Sequence, residues 1–296
     1  MHMPDIGFDQ AAGLRRLLNS PRPVRVIAVT SGKGGVGKSN ISVNLAVSMA
    51  RSGQDVMVLD ADLGLANIDV LLGLRPQYNL SHVITGERSL EEIVVEGPAG
   101  VMIVPASSGI QRMSELTPAE NIGLVRAFSD LAHPLDTLIV DTAAGLSDSV
   151  TTFVRAAQEV VVVVCDEPAS ITDAYAMIKV MSRDYQVQHF HVLANMTRSA
   201  QHGKELFQKL LRVADHYLDV TLQYMGAVPF DEQLRRAVSH QKPVVEFSPG
   251  SPSALSIKKL VQKMASWPQP VKADGNLEFF IERLIRFSAS NGVGIV

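Results

Sequence analysis

The sequence predicts an α/β fold with a doubly wound, mainly parallel β-sheet and helices on both faces. Apolar β-branched runs without polar alternation, which are typical of strands covered on both sides, alternate with amphipathic segments of helical length. The chain has 296 residues, 46% of them hydrophobic and 19% charged, which suits a large packed domain. A helix is predicted over residues 39–53, and strands over residues 24–30, 55–62, 100–107, 135–145, 159–168, 190–197 and 222–231.

The individual elements follow from local composition. The first strand, VRVIAVT, and the later strand EVVVVVCDEP are rich in β-branched residues, which favour strands. The helix SNISVNLAVSMARSG ends at Gly53, a residue favoured at helix C-termini. Ligands of such sheets bind at the carboxyl ends of the strands, and each chemically suggestive cluster of this sequence falls at such an end.

Composition and charge narrow the class of protein. The net charge is -3, so there is no global basic field and no direct contact with nucleic acid is expected. The only cysteine, Cys165, lies in an apolar run, which excludes an intramolecular disulfide and predicts a buried strand residue. Residues 1–20 lack the apolar core of a signal peptide, and no apolar run reaches the roughly 18 residues of a membrane span. We therefore expect a cytoplasmic protein, with attachment to a membrane surface left open.

Residues 32–39, GKGGVGKS, match the phosphate-binding pattern G-x-x-x-x-G-K-[ST] and lie between a predicted strand and a predicted helix. Glycines allow backbone N–H groups to turn around phosphate oxygens, and the helix N-terminus adds partial positive charge. Lys38 is expected to reach the β- and γ-phosphates, and Ser39 to bind Mg²⁺. The predicted nucleotide contacts are Gly32, Lys33, Gly34, Gly35, Val36, Gly37, Lys38, Ser39 and Asn40.

The loop also carries a second lysine, Lys33. With it, residues 33–39 read KGGVGKS, which resembles the signature K-G-G-V-G-K-[ST] of the deviant Walker A ATPases of the MinD/ParA class. In that family two subunits sandwich two nucleotides. The resemblance implies ATP as the nucleotide, a homodimer that forms with ATP, and catalysis by Lys38 together with Lys33 from the partner subunit. The alternative for Lys33 is a solvated loop lysine.

Carboxylates follow two predicted strands. In DADLGLANIDV the resemblance implies that Asp62 orients the attacking water and that Asp60 lies near Mg²⁺, whereas Asp69 is expected to be structural. In LIVDTAAG, Asp141 follows an apolar run as in the Walker B pattern and is expected to hold Mg²⁺ through water. The alternative for Asp60 and Asp62 is an ordinary turn. MinD proteins usually have proline two residues after this last aspartate, where this chain has Ala143.

Two later strand ends complete the predicted site. The resemblance implies that Asn195, Pro229 and Asp231 hold the adenine, since amide groups match its hydrogen-bond pattern. The alternative is that they cap loops. Asp166 and Glu167, in CDEPASITDAY, are candidates for the dimer face.

The C-terminal segment, residues 276–290, has apolar residues at helical spacing on one side and follows the linker PQPVKADG, residues 268–275. This stripe either packs on the core or lies in a membrane interface, and both hold if the helix is released in a dimer. MinD-class proteins carry a membrane-targeting helix at this location, so the resemblance implies binding to the inner-membrane surface. The stripe consists of Leu277, Phe280, Ile281, Leu284 and Ile285.

The N-terminal segment, DQAAGLRRL, resembles the D-Q-A-x-x-L-R motif of the FlhG (FleN) family, MinD-like ATPases that control flagellar number. In that family the segment docks on the GTPase FlhF and stimulates its hydrolysis. The alternative for an isolated motif of this kind is a flexible arm. The matching residues are Asp9, Gln10, Ala11, Leu14 and Arg15.

The resemblance implies a regulator of the number and placement of polar flagella. It would act on an FlhF-type GTPase, a FleQ/FlrA-type transcription activator and flagellar C-ring proteins, at the cell pole. Two alternatives remain: a MinD or ParA ATPase that positions division proteins or DNA, and an ATP-using enzyme that modifies a small molecule or loads a metal cluster. The lone Cys165 argues against cluster transfer. We expect a partner-activating segment (1–22), an ATPase domain (23–267), the linker (268–275) and a membrane-targeting helix with tail (276–296).

Overall fold

A single β-sheet organises the protein. The computed structural model describes residues 23–62, 67–105, 116–131, 134–268 and 277–292. The strands of this part of the chain are β1 (Arg25–Ser31), β2 (Val56–Ala61), β3 (Val95–Glu96), β4 (Met102–Pro105), β5 (Thr137–Ala144), β6 (Glu159–Val164), β7 (His189–Thr197) and β8 (Thr221–Pro229).

The strands lie in the spatial order β3-β4-β2-β5-β1-β6-β7-β8. Neighbours are parallel except for β3, which runs antiparallel to β4. Strand β1 lies near the centre, between β5 and β6. From β1 the chain moves outward to β2 on one side, and from β6 onward it moves outward on the other. The direction of winding therefore changes at β1, and the crevice that such a change opens lies at the carboxyl end of this strand.

Helices cover both faces of the sheet, so the predicted fold class is confirmed. Helices α1 and α11 lie on one face, with the shorter α2, α9 and α10, and the remaining helices lie on the other. The helices of the described residues are α1 (Lys38–Ala50), α2 (Asn67–Leu72), α3 (Leu80–Ile84), α4 (Leu90–Ile93), α5 (Pro118–Ser129), α6 (Asp148–Ala156), α7 (Pro168–Arg183), α8 (Ala200–Tyr217), α9 (Glu232–Ser239), α10 (Val244–Phe247), α11 (Pro252–Met264) and α12 (Leu277–Gly292), with a 3₁₀ turn at Pro98–Gly100.

Most predicted strand boundaries differ from the structure by only a few residues. The largest difference is the strand predicted over residues 159–168, which ends at Val164. Pro168 instead opens α7, because proline has no N–H to lose at the first position of a helix. The short helix α4 was not predicted, although its capping box, Ser89 with Glu92, is a readable N-terminal signal.

The C-terminal helix α12 packs against α5 and α6. Its apolar stripe is part of the same hydrophobic core as those helices, and Ile285 is half-buried. The guanidinium of Arg283 donates to the backbone oxygen of Arg155 on α6. The guanidinium of Arg155 in turn stacks 4.0 Å from the ring centre of Phe287. The structure thus has the helix in the docked position, with Leu277, Phe280, Ile281 and Leu284 each no more than 8% exposed.

Arg25 anchors the end of α11 and the residues that follow it, where the chain continues toward α12. Its Nη1 donates to the backbone oxygen of Met264, 3.0 Å away, at the end of α11. Its Nη2 donates to the backbone oxygens of Trp267 at 3.2 Å and Pro268 at 2.9 Å. One side chain at the amino end of β1 therefore holds the last residues before the predicted linker.

Two of the predicted segments lie outside the described residues. These are the N-terminal segment with Asp9, Gln10, Leu14 and Arg15, and the linker beyond Pro268. Within the described ranges, none of the helices combines the length and the apolar character that crossing a membrane requires.

Candidate active site

The predicted phosphate loop, residues 32–37, joins the end of β1 to the start of α1. Gly37 has a left-handed backbone, with φ of 87°. Gly32 packs so closely on α7 that a β-carbon there would lie 2.2 Å from the carbonyl carbon of Asp173, so no other residue fits. Gly34 and Gly35 have open space beside them, and Val36 is buried. The loop has the tight, side-chain-free geometry that phosphate binding requires.

Asn195 at the end of β7 supports this loop. Its Nδ2 donates to the backbone oxygen of Val36 over 2.8 Å, and the side chain is buried. A β-carbon on Gly37 would lie 2.5 Å from the same amide nitrogen. The structure therefore brings the predicted adenine contact Asn195 to the phosphate loop, where its amide donor holds the loop in place.

The two lysines of the loop lie in different surroundings. Lys38 is buried, and burial lowers the pKa of its ammonium group, opposed by the charges of Asp141 and Asp62. Lys33 is partly exposed, and its Nζ is hydrogen-bonded and ion-paired with Oε2 of Glu167. That hydrogen bond raises the pKa of Lys33. Lys38 is therefore directed into the site, whereas Lys33 is held at the surface by the residue that precedes α7.

Asp60 and Asp141 lie side by side, because they are register partners on β2 and β5. Both are buried. Burial, with the neighbouring charge of Asp141, raises the pKa of Asp60 to about 7. Burial raises the pKa of Asp141 to about 6, against hydrogen bonds from Ser39 and Ser42. Two carboxylates with little exposure to water and shifted pKa values are typical of a functional site.

These groups fit a magnesium ion. Oδ1 of Asp141 accepts a hydrogen bond from Ser42 Oγ at 2.8 Å, but its Oδ2 is buried and has no partner among the described residues. Mg²⁺ prefers oxygen ligands and keeps several waters, and it is commonly held by one or two carboxylates and the phosphates of a nucleotide. The described residues contain no group of three or more acidic, histidine or cysteine side chains that could hold a metal alone. Asp141, Asp60 and Ser39 thus match a metal that a nucleotide brings with it.

Asp62 is positioned by a residue that the sequence analysis did not single out. Nδ2 of Asn67, the first residue of α2, donates to Oδ2 of Asp62 over 2.9 Å. The next residue, Ile68, directs its N–H toward Oδ2 of Asp60 at 3.3 Å. The N-terminus of α2 therefore contacts both carboxylates. Asn67 appears in the sequence only as an ordinary polar residue five positions after Asp62.

The remaining predicted adenine contacts lie at the end of β8. Asp231 caps α9, with Oδ1 accepting from the N–H of Gln233 at 2.9 Å. Its Oδ2 accepts from both the N–H and the hydroxyl of Ser253, at 3.0 and 2.7 Å. Burial raises the pKa of Asp231, but the bonds from Ser253 and Gln233 outweigh it and the net shift is downward. Pro229, the last residue of β8, pairs with Thr197 of β7. The geometry of Asp231 is that of the loop-capping alternative.

The sequence is similar to those of known proteins over most of its length. A family model described as "ParA: NUBPL iron-transfer P-loop NTPase" matches residues 23–265. The chain is 56% identical to the antiactivator FleN of Pseudomonas aeruginosa, over 92% of this chain and 98% of that protein. It is 34% identical to the flagellum site-determining protein YlxH of Helicobacter pylori, over 94% of this chain and 99% of that protein.

Solved structures give the same fold. The MinC:MinD cell division protein complex of Aquifex aeolicus superposes with a TM-score of 0.65 at 24% identity, covering 84% of this chain and 98% of that chain. The septum site-determining protein MinD of Pyrococcus horikoshii, complexed with Mg-ADP, superposes with a TM-score of 0.63 at 24% identity, covering 82% and 96%. At this identity the likeness concerns the fold.

Proposed function

This chain belongs to the ParA family of P-loop NTPases and is an ATPase, and on that premise we propose that it is a switch that dimerises with ATP and controls the number and placement of flagella. The flagellar part is supported by the similarity to FleN and YlxH over nearly the whole chain. The switch part is supported by the geometry of the site.

The position of Lys33 carries the proposal of a dimer. A lysine that served only its own nucleotide would be directed inward like Lys38. Lys33 instead pairs with the exposed Glu167. From the surface its ammonium group can be supplied to a nucleotide bound by a second copy of the chain, as an arginine finger is supplied in other NTPases.

Exposed apolar side chains at the same edge of the sheet support the dimer as well. They lie at or after the carboxyl ends of β2, β5, β7 and β8. Apolar side chains that cluster at an edge favour a protein–protein contact, because burial there removes them from water. These residues are Val70, Leu146, Met196 and Phe230, which are 38–69% exposed.

Hydrolysis in this dimer rests on six side chains. Lys38 binds phosphate oxygens, and Ser39, Asp60 and Asp141 hold Mg²⁺, which when bound neutralises charge on the phosphates. Asp62 accepts a hydrogen bond from the attacking water and aligns it. Lys33 of the second copy stabilises the negative charge that develops on the transferred phosphoryl group.

Membrane binding through α12 is the next part of the proposal. Undocking the helix exposes four large apolar side chains, at a cost of roughly 1.5–3 kcal/mol each. Insertion of the same stripe into a membrane interface offsets that cost, with Arg283 and Arg286 facing anionic lipid. A dimer carries two such helices, so avidity makes membrane binding depend on ATP.

The proposed partners are those that the resemblance of residues 9–15 to the FlhG family implies, and the similarity to FleN supports a role in flagellar regulation. Residues 9–15 are proposed to contact an FlhF-type GTPase. A FleQ/FlrA-type transcription activator and flagellar C-ring proteins are proposed as further partners, with the protein on the cytoplasmic face of the inner membrane at the pole. Counting flagella on P. aeruginosa cells that lack FleN and express this chain tests the role, and an unchanged count would contradict it.

The switch is tested by size-exclusion chromatography with light scattering, with ADP and with ATP plus Mg²⁺, followed by flotation of the same samples with anionic vesicles. We expect the wild type to be dimeric and to float only with ATP, and Asp62→Ala to accumulate as a floating dimer. Lys33→Ala should bind ATP as a monomer, and Lys38→Ala should lose nucleotide, dimer and flotation together. A monomer under all conditions would rule out the switch.

A further inference from the structure

The short helix α2 connects the catalytic carboxylates to a distant part of the chain. It has six residues, and an isolated helix of that length is not stable in water. Its position therefore depends on contacts outside the helix, which are the burial of Ile68 in the core and hydrogen bonds at its two ends. At the N-terminal end, Asn67 contacts Asp62 and the N–H of Ile68 contacts Asp60, as described above.

At the other end, Gln241 caps α2 from outside. Its Nε2 donates to the backbone oxygen of Val70 over 3.1 Å, across 171 positions of sequence. That oxygen belongs to the last turn of α2 and also accepts from the N–H of Gly73 at 3.4 Å, since a carbonyl oxygen can accept two hydrogen bonds. A β-carbon on Gly73, just after α2, would lie 2.8 Å from Oε1 of Gln241. The two atoms of the Gln241 amide thus lie directly against the C-terminus of α2.

Gln241 makes this contact from an unfavourable backbone conformation. Its φ is 54°, in the left-handed region, where it ends α9. Glycine is preferred at such helix ends because other residues are strained there. Glycine would form the same turn more easily, so a change to glycine removes the side chain without disturbing the backbone.

A second glutamine, Gln186, has the same backbone conformation and serves as a control for Gln241. Gln186 follows α7, and its φ of 61° places it in the same left-handed region. Its Nε2 lies 3.4 Å from the backbone oxygen of Arg183, within its own helix end. The two residues share backbone geometry and location at a helix end, and they differ in what the amide contacts.

We propose that Gln241 is a positioning residue for hydrolysis: by capping α2, it holds Asn67 and therefore Asp62 in register with the phosphate loop. The inference rests on the proposed role of Asp62 in aligning water. It also makes the turn between α9 and α10 a point from which a change on the surface reaches the catalytic carboxylate.

The test is the pair of substitutions Gln241→Gly and Gln186→Gly. Both relieve the left-handed strain, so both variants should keep or raise the melting temperature. Only Gln241→Gly should lower kcat for ATP, by about fivefold to tenfold, the scale of one lost hydrogen bond, with KM changed less than about twofold. Gln241→Glu, which keeps the shape but cannot donate to Val70, should lower kcat similarly, and Gln186→Glu should not.

Hydrogen exchange tests whether Gln241 holds α2 in place, independently of whether Asp62 aligns water. Amides of residues 67–74 should exchange faster in Gln241→Gly than in wild type or Gln186→Gly, without nucleotide. Unchanged exchange together with unchanged kcat would overturn the proposal. If instead Asp62→Ala retained full kcat, the proposed role of Asp62 would fail, while the exchange result would still report whether Gln241 caps α2.

Discussion

Carboxylates are held in opposite ways at two places along the carboxyl-terminal edge of the sheet. At the ends of β2 and β5, Asp60 and Asp141 are buried, their pKa values are raised to about 7 and about 6, and one oxygen of Asp141 has no partner in the described part of the chain. At the end of β8, both oxygens of Asp231 accept hydrogen bonds and its pKa is lowered. The first arrangement costs stability until a cation arrives, and the second stabilises the fold as it stands. The difference indicates that Asp60 and Asp141 serve a bound cation, whereas Asp231 serves the fold.

The largest effect should come from Asp141→Asn. Loss of the carboxylate charge removes a proposed Mg²⁺ site, and we expect kcat/KM for Mg-ATP to fall on the order of 100-fold or more. Without nucleotide, the melting temperature should be unchanged or higher, because a buried charge is replaced by a neutral amide. Steady-state kinetics and thermal denaturation measure the two quantities. Retained activity would mean that the buried carboxylate of Asp141 does not serve the ligand.

Asp60→Asn should stabilise the fold in a way that depends on pH. Because the pKa of Asp60 is raised from 3.8 to about 7, the folded state binds a proton that the unfolded state releases within this window. The wild type therefore loses stability as pH rises through the window, and the penalty is complete above it. In EDTA and without nucleotide, the variant should gain on the order of 1–2 kcal/mol near pH 8 and less near pH 5. Urea denaturation across this range measures the difference, and a gain independent of pH would contradict the assignment.

Asp231→Asn should lower the stability of the fold, whereas Asp60→Asn should raise it. A lowered pKa means that the ionised form stabilises the fold above the usual value of 3.8, and this contribution is lost as pH falls below it. We expect a loss of about 1 kcal/mol near neutral pH, shrinking in acid, because one oxygen still caps α9. KM for ATP should stay within about twofold of wild type. A large rise in KM without loss of stability would favour the adenine contact over the cap.

The smallest effect concerns the surface pair of Lys33 and Glu167. Glu167→Gln frees the ammonium group in the monomer, and we expect the ATP-dependent dimer to form about two- to threefold more tightly, since exposed ion pairs are weak. Sedimentation at several protein concentrations measures this, with Asp166→Asn as the neighbouring control. A weaker dimer in Glu167→Gln would mean that this carboxylate serves the interface itself.

The sheet and the phosphate loop were predictable from sequence because both depend on local patterns. β-branched runs specify covered strands, and the glycines and lysines of residues 32–39 form one contiguous motif. The metal-binding roles of Asp60 and Asp141 were predicted from the family resemblance and the Walker B pattern, and the structure adds that the two residues are register partners on β2 and β5.

The contacts that were missed join residues far apart in sequence. Gln241 meets Val70 across 171 positions and Lys33 meets Glu167 across 134, and no periodicity marks either pair. The apolar stripe on α12 predicted that this face of the helix is buried, but the pattern alone does not identify what buries it. In the structure α5 and α6 cover the stripe. The bonds of Asp231 to Ser253 likewise depend on how α11 folds back beside α9.

The anchor formed by Arg25 limits how far the C-terminal helix can travel. The three backbone oxygens bound by this side chain end at Pro268, and α12 begins at Leu277. The eight intervening residues span at most about 26–29 Å when fully extended, at about 3.3–3.6 Å each. An undocked helix therefore remains tethered to the amino-terminal edge of the sheet, opposite to the edge that carries the phosphate loop. The first residue of an undocked α12 must stay within that radius, so the tether restricts how the protein can be oriented on the surface that it binds.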